Sequence, residues 1–379
     1  MSHPPVTFVA SHAQLGGQEA YLLSLLQSLD PAAVRGVVSL QDGPAVARLK
    51  GAGRPVWVIP TGARLGLLRG VVRLRRLLKA TGAELVHADG TKAALCSVLA
   101  TARTGVPVVW MKHDGAFDGR LARAVASRCA AVVGVSRTVV ETLDGVHGPS
   151  VHVVRNGIPA HQADRAEAAR ELRAALDAPE DAEVVIQVAR IVANKGQRDT
   201  VEAAAGVLAE RPRARFAFVG DIDSHGAAYA QEVRARAREL GIDGAVTFLG
   251  HRDDAVRLIA GADVLVVPSL CLPGFHGWRE GGSLVAAEAM MVGTPVLAYA
   301  DPAVIETLEG CGTVVAPGDI PTLARALTAL LADPDRRRAL AACGRLRARD
   351  LRLERALAEL TEVYRGASRS RNGAGSARA

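Results

Sequence analysis

Short runs rich in Val, Ile and Ala alternate along the chain with longer stretches in which Leu and Ala recur among Arg and Glu. The short runs fall at 6–10, 34–40, 56–59, 84–88, 106–111, 131–135 and 151–154. A second series falls at 183–189, 215–220, 245–249, 263–267, 295–298 and 313–315. Compact β-branched runs predict strands, and the helical patterns between many of them predict crossovers. Strands joined in this way pair in parallel. The pattern therefore predicts an α/β protein with two doubly wound, Rossmann-like parallel sheets, one for each series. No short-period repeat underlies it.

The chain has 379 residues, more than one hydrophobic core usually serves, so two domains are expected. The turn chemistry of Asn156-Gly157-Ile158-Pro159 marks the seam between them. The expected boundaries are 1–155 for the first domain and 156–366 for the second, which includes the last helix. The Ser/Arg/Gly/Ala-rich stretch 367–379 is expected to be a disordered tail. Sheets of this kind bind small ligands beyond the carboxyl ends of their strands, so a deep cleft facing both domains is expected.

Composition narrows the class. No stretch reaches the ~18 apolar residues of a membrane span. The N-terminus passes directly into a strand-like run without a signal-peptide pattern. The five cysteines form no CxxC or Cys/His cluster, so neither a disulfide framework nor a zinc site is expected, and a reducing cytoplasm fits. The net charge of +7 favours anionic partners such as nucleotides, although solvated Arg-rich helices account for it equally simply. No aromatic-studded basic surface points to nucleic acid.

Four clusters carry candidate chemistry. In the first, Glu280-Gly281-Gly282-Ser283-Leu284 leads into a short helix, with Ser283 as N-cap, Glu288 in its second turn and Gly293 as its stop. The free N–H groups at such a helix end attract a phosphate, and the Gly pair lets the backbone approach it. One carboxylate can then meet a ribose and the other a second sugar ring; solvated acids beside an ordinary cap are the plainer reading. In the second, Arg190 ends a strand and Lys195-Gly196 follows on its loop. Two cations there can clamp a diphosphate and steady a departing negative charge. In the third, Leu15-Gly16-Gly17-Gln18-Glu19 follows the first strand and can admit a phosphate or sugar, or simply form a tight turn. In the fourth, His87 with Asp89 and His113 with Asp114 sit at strand ends in the first domain, where they can touch a substrate; a hydrogen-bonded structural histidine is the alternative.

Together, these motifs resemble the family-4 retaining glycosyltransferases of the GT-B fold, also described as glycosyl transferases group 1. The order matches over nearly the whole chain. An early Gly-Gly loop comes first, then a His at a strand end, Asn-Gly-Ile-Pro at the seam, Arg190 with Lys195-Gly196, and Glu280 with Glu288. Gly293-Thr294-Pro295-Val296 and Val315-Ala316-Pro317-Gly318-Asp319 complete the set. The resemblance implies an acceptor-binding first domain and a nucleotide-sugar-binding second domain. The catalytic set is His113, Glu280, Arg190 and Lys195. The donor set is Gly17, Arg190, Lys195, Glu280, Gly281, Gly282, Ser283, Leu284 and Glu288, with Glu288 on the ribose. His87, Asp89 and Asp114 are assigned to the acceptor. The implied reaction moves a hexose-type unit from a UDP- or GDP-type co-substrate to a small-molecule or lipid-linked acceptor with retention, without metal or other cofactor.

The sequence departs from the family pattern at Gly281-Gly282, where an aromatic residue is usual. It departs again in the long 271–279 segment with Phe275, His276 and Trp278, and at Asp301-Pro302. These positions bear on which sugar is carried. Three rivals define the tests. Asp221-Ile222-Asp223 spells the Asp-x-Asp of a metal-dependent transferase, although two Asp also suit a turn. A nucleotide-sugar epimerase or pseudo-glycosyltransferase would keep the same donor residues, as would a binding module without turnover. Finally, 64–79 reads as a cationic amphipathic helix. It either packs its apolar face on the first sheet or also makes weak peripheral contact with the inner face of the membrane.

Overall fold

The computed structural model describes residues 4–14, 16–62, 65–115, 119–222, 226–272 and 280–376. The chain forms two compact units, Met1–Pro159 with Leu353–Ala379, and Ala160–Arg352. The first is built on seven strands: β1 Val6–Ala10, β2 Val34–Ser39, β3 Val56–Val58, β4 Leu85–Asp89, β5 Val108–Lys112, β6 Ala131–Gly134 and β7 Ser150–Val153. The second has six: β8 Val184–Val188, β9 Arg215–Val219, β10 Val246–Gly250, β11 Val264–Val267, β12 Val296–Tyr299 and β13 Thr313–Val315. Each strand lies within a residue or two of its predicted run, because the central strands such as β1, β6, β8 and β11 are buried and rich in Val and Ile.

The orders are β3-β2-β1-β4-β5-β6-β7 and β10-β9-β8-β11-β12-β13, and every pairing is parallel. Strand order therefore reverses between β1 and β4 in one sheet and between β8 and β11 in the other. These are the two places where doubly wound sheets bind ligands. In the first unit the core joins Val9, Val38, Val86, Trp110 and Val132 with helix residues such as Leu74, Leu78 and Val125. In the second it joins Val185, Phe216, Phe218, Val266 and Tyr299 with Val201, Val233, Leu323 and Leu327.

Three expectations change here. The last helix, Leu353–Ser376, belongs to the first unit and not to the second. Its stripe of Leu353, Ala356, Leu360, Val363, Tyr364 and Ala367 is buried, and the Leu353 N–H donates to the carbonyl of Ile158 at 3.0 Å. Sequence order suggested the wrong partner because an apolar stripe does not say which sheet it covers. The expected tail from 367 is helical through Ser376, with Ala367 buried in it; 377–379 lie outside the described residues. Cys311 and Cys343 are joined in a disulfide, against the expectation of none, with their Cα atoms 5.2 Å apart. The helix Pro334–Ala348, which carries Cys343, folds back against the helix Leu284–Val292, as the contact of Gly344 with Met290 records. That return brings the two cysteines together across 32 positions, a closure spacing alone cannot reveal.

Candidate functional site

In the second unit, β8 ends at Val188 and the chain enters a loop that begins with exposed Arg190 and ends at Gly196. Buried side chains pin this loop. The Gln187 amide donates to the Lys195 carbonyl at 2.6 Å and is itself held by the Thr200 hydroxyl at 2.8 Å. The Gln197 amide donates to the Arg190 carbonyl at 2.9 Å. Gly196 has φ 69°, and a Cβ there would lie 2.0 Å from the Pro268 carbonyl oxygen, so no larger residue fits. The loop is thus pressed against the end of β11, where the Leu270 N–H donates to the Asn194 carbonyl at 2.8 Å.

This close approach brings the charged groups together. The Lys195 ammonium pairs with Glu280 Oε1, and the Ser269 hydroxyl donates to the same oxygen at 2.7 Å. Glu280 is 8% exposed, yet two donors satisfy it. The helix Leu284–Val292 follows. Its first turn is capped by Ser283 Oγ, which accepts from the Ala286 N–H, and Gly293 stops it at φ 77°. The Ser283 N–H donates to Thr307 Oγ1 at 3.4 Å, so the helix Pro302–Leu308 braces the Gly281-Gly282-Ser283 loop from behind. Glu288, half-buried in the second turn, has no hydrogen-bond or ion-pair partner among the described residues, and burial pushes its carboxyl up to about 7. A desolvated acceptor without a donor, beside a lysine–carboxylate pair and a helix N-terminus, suits a ligand that brings hydroxyl groups and negative charge.

In the first unit, Gly17 is the first residue of the helix Gly17–Ser28, behind an extended Gly16. Gln18 of that helix donates to Asp89 Oδ2 at 2.9 Å, and His113 Nε2 meets Asp89 Oδ1 at 2.5 Å. Asp114 follows His113, and its carbonyl accepts from the buried Lys112 ammonium. His87 is wholly buried. Its ring packs on Phe8 at 4.8 Å, and its Nδ1 is hydrogen-bonded to the Tyr364 hydroxyl at 2.7 Å. Burial lowers its pKa to about 4, so it is neutral.

Lys195 and Glu280 meet directly, Arg190 opens the same loop, and Gly281, Gly282, Ser283, Leu284 and Glu288 follow without a break. Gly17 and His113 lie in the first unit. His87 and Asp89, assigned to an acceptor, have buried side chains bonded to Tyr364, His113 and Gln18. Sequence reasoning missed Ser269, Gln187, Gln197, Thr307 and Tyr364. Their types are ordinary, and only Ser269, one residue past the Pro268 that closes onto Gly196, stood at a position that marks a site. Asp221 Oδ1 accepts from the next N–H in a turn, as two Asp residues allow. Leu15, Arg64, Asp223 and 273–279, with Phe275, His276 and Trp278, lie outside the described residues.

Residues 15–162 match the model for Glycosyltransferase Family 4, and 168–347 match that for Glycosyl transferases group 1. A D-inositol 3-phosphate glycosyltransferase of Kineococcus radiotolerans is 31% identical over 323 residues, covering 76% of this chain and 72% of that protein. A GDP-mannose-dependent monoacylated alpha-(1-6)-phosphatidylinositol monomannoside mannosyltransferase of Corynebacterium glutamicum is 26% identical, over 88% of this chain and 89% of that one. The structure of Anabaena HepE in complex with UDP-glucose superposes with a TM-score of 0.84 at 22% identity, covering 95% of this chain and 99% of that one. The chain belongs to the family-4, group 1 glycosyltransferases and has their GT-B fold. It is a glycosyltransferase that uses a nucleotide-sugar donor.

Proposed function

We propose that the chain is a retaining, metal-independent hexosyltransferase that takes its sugar from UDP or GDP. The observation that carries this reading is the Lys195–Glu280 pair, shared with Ser269, at the β8/β11 reversal beside a helix whose Glu288 has no partner among the described residues. In this assignment Arg190 and Lys195 hold the diphosphate and offset the charge that grows on it as the glycosidic bond breaks. Glu280 and the backbone from Gly281 to Leu284 hold the donor sugar, and Glu288 takes the ribose hydroxyls. The acceptor hydroxyl attacks the anomeric carbon on the face from which the diphosphate leaves. A departing phosphate oxygen receives its proton, so configuration is kept. His113 serves the transferred sugar, and no cofactor is needed.

The names of the two relatives both carry inositol, which makes an inositol-bearing small molecule or lipid the first acceptor class to try. The test combines UDP- and GDP-hexoses with inositol phosphate or phosphatidylinositol. Mass spectrometry should find free nucleotide diphosphate and a hexosylated acceptor, unchanged by EDTA, and NMR should show the donor's anomeric configuration retained. An isomerised sugar nucleotide would assign an epimerase instead. Full dependence on Mg²⁺ would overturn the metal-free reading.

The helix Leu65–Ala80 supports a peripheral contact with anionic lipid. It buries Leu74 and Leu78 in the first core, yet Leu65, Leu68 and Val72 remain 69%, 60% and 49% exposed beside exposed Arg69, Arg73, Arg76 and Lys79. No helix among the described residues is long and apolar enough to cross a membrane. A cytoplasmic enzyme touching the inner face through this helix fits that surface. The chain should sediment with phosphatidylserine vesicles at low salt and be released at high salt. Equal recovery in the supernatant with and without vesicles would remove the contact.

A further inference from the structure

We infer that Asp89 is a positioning residue for sugar transfer: held rigidly inside the first unit, its carboxylate takes Nε2–H of His113 and keeps that ring a cation with Nδ1–H as its one remaining donor. The inference rests on the transferase reading above. It gives Asp89 a role that acts through His113, in keeping with its burial.

The anchoring is unusually complete. Both Asp89 carboxylate oxygens are bonded, Oδ1 to His113 and Oδ2 to Gln18. Its carbonyl accepts from the Ser11 N–H at 3.1 Å and from the Ser11 hydroxyl at 2.7 Å. The same hydroxyl accepts from the Ala93 N–H at 2.9 Å. Gly90 comes next at φ 91°, where a Cβ would lie 2.7 Å from Ser11 Oγ, so the turn after β4 has no room to shift. The edge of Tyr21 meets the His113 ring, with centroids 6.4 Å apart. His113 makes no hydrogen bond to any described residue through Nδ1, so its function lies on that edge.

The charges around the ring decide its state. Burial alone would lower the His113 pKa, but the charge of Asp89 and the hydrogen bond to it reverse this, with Asp114 and Glu19 adding to the attraction, and the net shift is upward. Burial likewise pulls Asp89 upward; His113, then His87 and Gln18, bring it below the usual carboxylate range. His87, the other imidazole near Asp89, is neutral and turned towards Tyr364 of the last helix. The pair is thus a buried imidazolium–carboxylate whose two charges offset each other. A ring in that state cannot act as a general base at neutral pH. Its Nδ1–H can stand as a fixed donor beside a group that becomes negative.

Asp89→Asn removes the charge and keeps the shape. It should lower kcat by about 10²-fold, with nucleotide affinity in the second unit unchanged. Native kcat should hold to higher pH than that of the variant, in which burial of His113 is no longer offset by the Asp89 charge and the ring gives up its proton at a lower pH. Gln18→Ala, which loosens Asp89 without changing charge, should show a smaller fall in kcat and a native pH profile. The His113 ring resonance, followed by NMR, reports the same titration without turnover. If the transferase reading fails, native turnover is absent, and the NMR titration still decides on the pair. If this inference fails, turnover is present and the Asn variant matches native in kcat, pH profile and ring titration.

Discussion

Glu280→Ala is expected to lower kcat by about 10²- to 10³-fold while nucleotide diphosphate still binds, an effect the size of losing one preorganised partner of a developing charge. The carboxylate has two functions in the structure. It is the counter-charge of Lys195, and with Ser269 it fixes where that ammonium stands. Without it, the ammonium is partly buried, its side chain 18% exposed, and has lost this partner. That loss lowers the stability of the empty protein. A diphosphate restores the missing charge, so the variant should show a larger ligand-induced rise in melting temperature than native protein does. Calorimetry with nucleotide diphosphate, melting curves and single-turnover rates with intact donor separate the effects. Native turnover in the variant would remove Glu280 and its neighbours from the chemistry. Loss of nucleotide binding in parallel with turnover would instead make the residue part of the structural frame.

Much of this arrangement was legible in the sequence for simple physical reasons. The central strands are visible because parallel strands buried on both faces are rich in Val, Ile and Ala. The helix Leu284–Val292 is visible because its cap and its stop are local: Ser283 and Gly293 act on their own neighbours. Lys195 and Glu280 were named for separate reasons, one as a loop cation and one as a loop acid. Their pairing depends on Gly196 letting the loop close on Pro268. What stayed hidden is whatever depends on long-range return of the chain. Tyr364 meets His87 across 277 positions, and the last helix covers the first sheet after the chain has completed the second. Asp89 was noticed as a polar residue at a strand end, where ligands are expected. Only coordinates show that both its oxygens turn inward.

Glu288→Gln is expected to stabilise the empty protein above neutral pH and at the same time weaken donor binding by about 10- to 10²-fold, the worth of charge-assisted hydrogen bonds. The sign follows from burial, which raises the Glu288 carboxyl from its ordinary 4.5 to about 7. The folded chain therefore holds a proton that the unfolded chain has already lost. Stability attributable to this group falls as pH rises from about 4.5 to about 7 and stays at its lowest above that. A shift of that size corresponds to at most about 3 kcal/mol, and partial exposure reduces it. Gln does not titrate, so the melting temperatures of the two proteins should agree near pH 5 and diverge towards pH 8, with the variant higher. Donor binding reverses the balance. Ribose hydroxyls donate to an ionised carboxylate through both oxygens, so nucleotide favours the charged form and native protein should release protons on binding near pH 7. Titration calorimetry in buffers of different ionisation enthalpy would detect that release, and it should vanish in the Gln variant. Equal melting temperatures at pH 8 and equal nucleotide affinity would return Glu288 to the solvated surface of an ordinary helix. A gain in stability that accompanies the loss of ligand is what a carboxylate kept without a partner for its substrate must show.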